Sequence, residues 1–385
     1  MYSNLTSLEI LNLLNFLSGA LTLIYLLLVL SFIIGWIKLP VFKLGSKHLK
    51  TKVSIIIAAR NEEASIKKTI ECLLAQNYPT ALTEIILVDD HSTDRTSEII
   101  GSYALRGIKL IQLNLDKKLN SYKKKAIETA IGVSSGDLIV TTDADCSMGN
   151  NWLSTIVGLY EEKGFKMISS PVMFFEEMNL FERMQTLEFL YLIGMGASTI
   201  GNKMPSTCNG ANLAYQKTVF FEVGGFKGID DLASGDDELL LHKIAAKYPE
   251  GIGFLKNVDA MVYTDAKRNL GEFIQQRKRW ASKSTKYKNK AIIVLGVLIW
   301  TFNLSIFVNA VIGFFLPHFF LIAGWQLLAK LTIDVCFLVL ITSFARRRRL
   351  LMLSPLLTIL HIFYMIYIGI AGNSGKYNWK DRMVK

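Results

Sequence analysis

Cysteine is scarce in this chain, and its four residues show no metal-ligand spacing: Cys72, Cys146, Cys208 and Cys336. The spacing indicates neither a cysteine metal site nor a disulfide framework, and reduced thiols are expected. Internal repeats and low-complexity segments are lacking too. This argues against a small transporter, which would carry an inverted repeat and more membrane spans.

Charge is absent from long stretches at both ends of the chain. Hydrophobic residues make up 51% of the sequence and charged residues only 19%, which is too apolar for an ordinary soluble protein. Uncharged runs longer than the roughly 20 residues of a membrane helix cover residues 11–36, 291–316 and 350–372. A fourth run, residues 319–344, contains only Lys330 and Asp334, which share a helix face. We therefore expect four membrane spans.

The Lys330 and Asp334 pair is costly inside a membrane unless it is neutralised. Mutual neutralisation that locks the helix bundle is our first interpretation of the pair, and a role in a transport path is the second.

The first apolar run lacks the basic n-region and the cleavage site of a secretory signal, and it is too long for an h-region. We expect an uncleaved anchor. Lysines crowd its carboxyl side, at positions 38, 43, 47, 50 and 52. By the positive-inside rule, they place the segment that follows, up to residue 290, in the cytoplasm.

The net charge of +11 is carried largely by segments that flank the apolar runs, including residues 277–290 and 346–349. Such clusters suit an anionic membrane surface better than nucleic acid. Three crossings after residue 290 would leave the basic tail, residues 376–385, outside, in conflict with the positive-inside rule. One of the three carboxyl-terminal runs could instead be re-entrant or interfacial, and this alternative stays open.

Between the apolar ends, residues 53–172 alternate short apolar runs with polar helical segments. We expect strands at residues 53–57, 84–88, 108–113 and 138–142, with helices near 62–75, 93–105 and 123–131. This βαβα pattern predicts a mostly parallel sheet with helices on both faces. The expected domains are an anchor (1–37), a cytoplasmic α/β domain (38–290) and a membrane bundle with a short tail (291–385).

Three of the predicted strands end in polar clusters: residues 58–63, 89–94 and 143–145. Each cluster alone could be a helix cap or an Asx-turn. However, the carboxyl ends of parallel strands meet at one edge of the sheet, where ligands bind in open α/β folds. Asp143 and Asp145 offer paired hard oxygen ligands there, and the sequence predicts that they hold Mg²⁺ or Mn²⁺.

The motifs in these clusters resemble those of glycosyltransferase family 2, whose nucleotide-diphospho-sugar-binding domain has the GT-A type fold. The matching segments are Val-Ser-Ile-Ile-Ile-Ala-Ala-Arg-Asn-Glu-Glu (53–63), Val-Asp-Asp-His-Ser-Thr-Asp (88–94) and Asp-Ala-Asp (143–145). Downstream, Ser-Gly-Asp-Asp (234–237) resembles the acidic base motif of that family. Gln-Arg-Lys-Arg-Trp (276–280) resembles the Gln-x-x-Arg-Trp signature of its membrane-embedded, often processive members.

The resemblance implies roles for particular residues. A nucleotide-sugar donor would be bound by Ala59, Arg60, Glu62, Asp89, Asp90, Lys123, Asp143, Gln276, Arg279 and Trp280. The acceptor would lie at Cys208, Asn209 and Gly210. Asp236 and Asp237 would be catalytic, with Asp237 as the general base. Crowding by Asp236 and Glu238 is expected to raise a carboxyl pKa toward the working range.

Simpler interpretations of these segments stay open. Lys123 could lie on a solvated helix face, and the two acids at 236 and 237 could decorate a helix start. Residues 276–290 could form a basic interfacial helix with Trp280 at headgroup depth. Residues 173–198, rich in Phe and Met, fit either an amphipathic interfacial helix or ordinary core packing.

We expect an inverting glycosyltransferase that moves a sugar from a nucleotide-diphosphate donor onto a polysaccharide or lipid-linked acceptor. The expected donor is a UDP-sugar, and the expected location is the cytoplasmic face of a bacterial inner membrane. The Gln-x-x-Arg-Trp resemblance favours a polymer product. The modest number of spans favours a single-sugar transfer to a polyprenyl phosphate or glycolipid, or a synthase that needs a partner membrane protein for export. The alternative from another class is a non-catalytic, sugar-nucleotide-binding membrane subunit.

Overall fold

The structure is a computed structural model that describes residues 7–45, 48–113, 119–372, 377–379 and 382–384. Lys47 of the predicted lysine cluster and residues 376, 380, 381 and 385 of the basic tail lie outside the described residues. The strands are β1 Val53–Ala59, β2 Thr83–Asp89, β3 Ile108–Gln112, β4 Leu138–Thr141, β5 Ser147–Met148, β6 Met167–Ser169, β7 Val172–Phe174, β8 Leu213–Gln216, β9 Ile252–Phe254, β10 Val262–Thr264, β11 Tyr377–Trp379 and β12 Arg382–Val384.

The helices fall into a domain set and a long apolar set. Those of the domain are α2 Ile66–Leu74, α3 Thr96–Gly101, α4 Tyr122–Val133, α5 Trp152–Lys163, α6 Leu180–Gly201, α7 Lys217–Glu222, α8 Glu238–Lys247 and α9 Leu270–Ala281. The long apolar helices are α1 Ser7–Lys38, α10 Lys290–Gly313, α11 His318–Phe344 and α12 Ser354–Ala371.

The central sheet has seven strands in the order β3-β2-β1-β4-β8-β6-β9. Strand β1 lies between β2 and β4 and is parallel to both, with Val53 paired to Thr83 of β2 and to Leu138 of β4. Its Ile55, Ile56 and Ile57 are fully buried, as expected for a parallel strand covered on both faces. Only β8 runs against its neighbours β4 and β6. The predicted mostly parallel sheet is confirmed.

Helices cover both faces of this sheet, because successive side chains of a strand point to opposite faces. Ile55 and Ile57 pack in one apolar core with α2 and α5, whereas Ile56 packs in a second core with α4. The predicted helix near 62–75 begins only at Ile66, and the one near 93–105 is shorter, at Thr96–Gly101. The missing first turns form the loops at the ends of β1 and β2, which hydrogen-bond to each other.

Helix α6 joins the domain to the first apolar helix, α1. A β-carbon on Gly35 would lie 2.1 Å from the carbonyl oxygen of Ser198, so only glycine permits this close crossing. Most of α6 is buried between the domain, α1 and α11. Of the two predictions for residues 173–198, core packing therefore describes the carboxyl-terminal part, although Phe175 and Met178 are exposed.

Within the part of the chain that the structure describes, four helices are long and apolar enough to cross a membrane: α1, α10, α11 and α12. Lys330 and Asp334 of α11 form the expected pair, at 2.8 Å between Nζ and Oδ2. The hydroxyl of Tyr25 donates to Asp334 at 2.7 Å, and that of Tyr191 does so at 3.2 Å. The pair thus neutralises itself and connects α1, α6 and α11, which is the first interpretation of these two residues.

Both ends of α12 lie against the domain. Just before it, Arg347 donates twice to the carboxylate of Glu177, at 2.7 Å each. Just after it, a β-carbon on Gly372 would lie 2.5 Å from the β-carbon of Ala281, the last residue of α9. The backbone of β11 also lies beside α9. Contacts of both ends with the domain fit the re-entrant or interfacial alternative, in which the basic tail would lie on the same side of the membrane as the domain.

Candidate active site

One cavity of about 980 Å³ collects most of the predicted site residues. Its walls include the ends of β1, β2 and β4, the start of α4, the loop before α8 and one side of α9. The predicted residues that line it are Ala59, Arg60, Glu62, Asp90, Lys123, Asp143, Asp145, Cys208, Asn209, Gly210, Asp236, Asp237, Gln276, Arg279 and Trp280. The structure therefore brings together segments that are more than 200 residues apart in the chain.

Arg60 ties the loop after β1 to the loop after β2. Its Nη1 donates to the carbonyl oxygens of Asp90, at 2.9 Å, and His91, at 2.7 Å. Asn61 and His91 both adopt left-handed backbone conformations, with φ of 50° and 53°. Such conformations are uncommon for residues other than glycine, and they cluster at functional sites. The two loops are therefore held as one rigid rim of the cavity.

Asp89 and Asp90 have different environments. Asp90 lines the cavity, and its Oδ1 lies 2.9 Å from Nδ1 of His91. The carboxylate of Asp89 instead accepts the N–H of Ser92 at 3.3 Å, within the loop after β2. Asp89 does not line the cavity, so its contact with the loop backbone is the role that the structure shows.

Asp143 and Asp145 follow β4 as predicted. Ligand atoms of Asp143, Asp145 and Cys146 lie within 4.8 Å of one another. Burial raises the pKa of the Cys146 thiol, which lies 3.8 Å from Oδ1 of Asp145. A protonated thiol is a poor metal ligand, whereas the two carboxylates are the hard oxygen donors that Mg²⁺ and Mn²⁺ prefer. The donor set thus fits a divalent cation held by Asp143 and Asp145.

Lys123 places its ammonium group between the acids of two separate segments. Its Nζ lies 2.7 Å from Oδ1 of Asp143 and 3.2 Å from Oδ2 of Asp236. Burial lowers the pKa of Lys123, but Asp143, Asp236 and Asp237 together raise it above its usual value. The side chain is mostly buried, so the interpretation of a solvated helix face does not describe it. The ammonium group of Lys123 thus bridges the acidic segment after β4 and the acidic segment before α8.

Asp237 is held in one orientation at the start of α8. Its carboxylate accepts the N–H of Glu238 and, at 3.1 Å, the N–H of Gly210. Burial raises its pKa, but Lys283, these N–H groups and Lys123 outweigh burial and lower the pKa to about 2. The expected upward shift from like-charge crowding is therefore wrong for Asp237. The two lysines and the two backbone N–H groups, rather than the neighbouring acids, set the direction of the pKa shift.

Lys283 belongs to the site and was not predicted. Its Nζ lies 3.1 Å from Oε2 of Glu238 and 3.5 Å from Oδ1 of Asp237. Thr207 donates to Glu238 at 2.7 Å, and the hydroxyl of Tyr287 hydrogen-bonds to the same carboxylate. In the sequence, Lys283 is one of several lysines in the basic segment before α10. Nothing local distinguishes it from the exposed Lys286.

A second unpredicted lysine, Lys124, holds the loop that precedes the acids of α8. Its ammonium group donates to the carbonyl oxygens of Ile229, Leu232 and Ser234, at 2.6, 2.7 and 2.6 Å. These three bonds use all three ammonium donors. Burial lowers the pKa of Lys124 to about 8. Lys124 thus orders the segment from which Asp236 and Asp237 emerge.

The Gln-x-x-Arg-Trp segment lies on α9, and its buried cation is Arg277. Arg277 is 1% exposed and forms an ion pair with Glu188 of α6. Its guanidinium carbon lies 4.2 Å from the ring centre of Trp280 and 4.6 Å from that of Phe273. One face of Trp280 is therefore covered by Arg277, while Gln276 and Arg279 also line the cavity. Arg277 was missed because its partner lies 89 residues away.

The predicted acceptor residues lie in the segment before β8, beside the end of β4, where the hydroxyl of Thr141 donates to the carbonyl oxygen of Gly210 at 3.2 Å. The side chain of Asn209 accepts the N–H of Ala211 at 2.9 Å and so fixes the turn. A β-carbon on Gly210 would lie 3.3 Å from a carboxylate oxygen of Asp236. Burial raises the pKa of the Cys208 thiol, which is therefore neutral. Asn209 and Gly210 shape the turn that presents an N–H to Asp237.

Comparison with known proteins agrees with this geometry. Residues 54–230 match the family described as Glycosyl transferase family 2. A probable glycosyltransferase of Bacillus subtilis, YdaM, is 28% identical over 63% of this chain and 57% of its own length. Beta-monoglucosyldiacylglycerol synthase of Nostoc sp. is 32% identical over 29% of this chain and 24% of its own length. The chain thus covers less than two thirds of these relatives.

Among solved structures, the mannosyltransferase PcManGT from Pyrobaculum calidifontis, in complex with GDP-Man and Mn²⁺, has a similar fold. The likeness has a TM-score of 0.55 at 17% identity and covers 91% of this chain and 99% of that one. Together with the family match, this likeness confirms the GT-A type α/β fold. Residues 54–230 of this chain form a glycosyltransferase family 2 domain.

Proposed function

We propose that this protein is a membrane-bound, inverting glycosyltransferase that moves a sugar from a nucleoside-diphosphate donor to an acceptor oxygen. One observation carries the proposal. The Asp143–Asp145 pair and the fixed carboxylate of Asp237 line the same cavity, with Lys123 between them. A site for a metal diphosphate and a site for a base are therefore adjacent.

The donor would occupy the half of the cavity under the strand ends. Asp90 offers a carboxylate to the nucleoside, in the loop that Arg60 orders. Asp143 and Asp145 would hold Mg²⁺ or Mn²⁺, and that ion would neutralise charge on the departing diphosphate. The ammonium of Lys123 and the guanidinium of Arg279 can reach diphosphate oxygens from the other side.

The acceptor oxygen would approach from the side of Asp237. It attacks the anomeric carbon and forms a new carbon–oxygen bond. The bond from that carbon to the diphosphate oxygen breaks, and the nucleoside diphosphate leaves with the electron pair. The acceptor proton passes to the carboxylate of Asp237, which is ionised in the free protein because its pKa is lowered to about 2. A single in-line attack assisted by one base inverts the anomeric configuration.

Several finer assignments belong to this proposal. The donor is a UDP-sugar, and the domain spans residues 38–290 between an anchor (1–37) and a membrane bundle (291–385). The domain faces the cytoplasm of a bacterial cell, since lysines follow α1. The names of the relatives support the class of donor and acceptor: one is a beta-monoglucosyldiacylglycerol synthase, and another from Aeromonas hydrophila is an undecaprenyl-phosphate 4-deoxy-4-formamido-L-arabinose transferase.

The full-length protein, purified in detergent, tests this proposal with a panel of nucleotide sugars and Mn²⁺ or Mg²⁺. We expect metal-dependent release of nucleoside diphosphate from one donor class, and loss of release in chelator and in Asp143→Asn and Asp145→Asn. Asp259→Asn, at an exposed carboxylate outside the cavity, is the matched control and should behave like the unchanged protein. Undiminished release in chelator would refute the metal, and no donor binding or release with any nucleotide sugar would refute the function.

A further inference from the structure

The active-site cavity has a second, apolar arm that reaches into the membrane helices. On the basis of the proposed function, we propose that this arm holds the hydrocarbon chain of a lipid acceptor. The protein would then glycosylate a lipid at the domain side of the membrane, rather than thread a growing polysaccharide through its helices.

The arm begins beyond Trp280 and continues between α10 and α12. Its walls are mainly aliphatic: Ile292, Leu295, Gly296 and Ile299 of α10, with Met365 and Ile368 of α12. The two polar side chains that α12 adds are His361 and Tyr364. The acids and most of the cations of the cavity are at its other end, around Asp143 and Asp237. The lining therefore changes from charged to apolar along its length.

The depth of the arm argues against a polymer channel. From Ile292 to Ile299 the α10 helix rises about 10 Å, whereas a channel must cross a hydrocarbon core of about 30 Å. At the next residues the two helices close up, since a β-carbon on Gly369 would lie 2.3 Å from the ring of Trp300. Among the described residues, no side chain of α1 or α11 lines the cavity.

Elsewhere in the bundle, buried polar side chains connect the helices. Asn309 donates to Gln326 and to Ser18, both at 2.8 Å, and so connects α10, α11 and α1. Nearer the domain, Lys330 and Asp334 occupy the space between α1 and α11. A polysaccharide passing this way would have to break these contacts. The arm thus ends inside the half of the membrane that adjoins the domain.

The chemistry of the lining selects the same occupant. A sugar polymer would leave its hydroxyl groups without partners against Ile292, Leu295 and Ile368, which costs free energy for each unpaired group. A hydrocarbon chain gains free energy on the same surface, in proportion to the area it buries. A lipid also arrives along the membrane, and its head group would lie at the change from apolar to charged lining, next to Asp237.

Gly296 provides a direct test. Its missing side chain faces open space, and it lines the arm. Gly296→Leu should fill part of the arm without straining the helix. Gly324 of α11 is a matched control, because its side-chain position is equally open but lies outside the cavity. Both substitutions replace glycine within an apolar helix by a better helix former, so both variants should fold.

The assay uses full-length protein in nanodiscs with the donor identified by the screen. The acceptors are a long-chain polyprenyl phosphate and dioleoylglycerol, each with a short-chain counterpart, geranyl phosphate and dihexanoylglycerol. These two pairs of acceptors distinguish a lipid phosphate from a neutral lipid alcohol. We expect one of the two pairs to yield a glycolipid that carries one sugar. In Gly296→Leu, KM for the long-chain acceptor should rise roughly tenfold, the loss expected from about two unburied methylene groups. The short-chain KM and donor affinity should stay unchanged.

Gly324→Leu should match the unchanged protein with every acceptor. Equal KM values for Gly296→Leu and Gly324→Leu with the long-chain lipid would overturn the inference. A polysaccharide product from the donor alone, or transfer to a soluble oligosaccharide but to neither lipid, would overturn it while leaving the proposed function intact. Failure of the proposed function itself has a different signature, namely no donor binding and no release of nucleoside diphosphate with any acceptor.

Discussion

The buried ion pair between Glu188 and Arg277 makes the most quantitative prediction about this fold. The pair joins α6 to α9, the helix that carries Gln276 and Trp280 into the cavity. The change to make is Glu188→Gln, which keeps the size of the side chain and removes its charge. The guanidinium of Arg277 would then remain buried between Phe273 and Trp280 with no counter-charge from Glu188.

The expected cost follows from the burial of both partners. Glu188 is 7% exposed and Arg277 is 1% exposed, so water cannot replace the lost carboxylate. Removing one partner of such a buried pair costs about 3–5 kcal/mol of folding free energy. For a domain of this size, that loss lowers the unfolding temperature by on the order of 10 °C. Because α9 would shift, donor binding should weaken as well.

The assay is thermal unfolding of the purified protein, followed by tryptophan fluorescence at matched detergent concentration. The control is Glu250→Gln, which removes the carboxylate of an exposed ion pair with Lys203 at 2.8 Å. Exposed pairs contribute little to stability, so this variant should unfold with the unchanged protein. The double change Glu188→Leu with Arg277→Met should recover most of the loss, because a well-packed apolar pair avoids the cost of burying charge.

Glu188→Gln unfolding at the same temperature as Glu250→Gln would refute this reasoning. It would mean that Arg277 is solvated or re-paired in solution, and that the position of α9 does not depend on the contact with α6.

Three further predictions concern the charges of the site and the topology. Lys123→Met should tighten the binding of Mn²⁺ alone, measured by electron paramagnetic resonance, because the Lys123 ammonium group repels the metal ion. The same change should weaken the binding of nucleoside diphosphate, measured by calorimetry, because the ammonium group attracts the phosphates. A change of both affinities in the same direction would contradict this. The profile of kcat/KM should show no acid limb from Asp237 between about pH 5 and 8, since its pKa is lowered to about 2 and its carboxylate protonates only as pH falls through that value; a limb that Asp237→Glu displaces would contradict this. An impermeant maleimide is applied to sealed vesicles that contain single-cysteine variants of a cysteine-free protein. It should label Asn378→Cys on the same side of the membrane as Leu105→Cys of the domain, and on the opposite side from Phe315→Cys, which lies between α10 and α11. Labelling of Asn378→Cys on the side of Phe315→Cys would make α12 a full crossing.

The parts of this fold that could be predicted from sequence are those with local causes. The runs that became β1, β2 and β4 are apolar and bounded by polar clusters, so both the strands and the edge where Asp90 and Asp143 meet could be inferred. The order of the motifs added Asp237 and α9, which lie far along the chain. The four long apolar helices follow from composition alone.

What could not be predicted depends on contacts between distant segments. The partners of Lys124 and Arg277 lie about 90 to 110 residues away in the chain. Burial raises the pKa of Asp237, but Lys283 and Lys123, which are distant in sequence, lower it together with the N–H groups of Glu238 and Gly210. Hydropathy likewise gives the length of α12 but not the positions of its ends. These depend on Glu177 and Ala281, two residues of the domain.

The most direct measurement is sugar transfer by Asp237→Asn, compared with Asp230→Asn as the matched control. Asp230 lies seven residues away, at an exposed position outside the cavity. If Asp237 takes the acceptor proton, kcat for Asp237→Asn should fall by roughly 10²–10⁴-fold. Donor affinity, measured by calorimetry, should change little, and Asp230→Asn should retain full turnover. Turnover of Asp237→Asn equal to that of Asp230→Asn, with donor bound, would contradict the account.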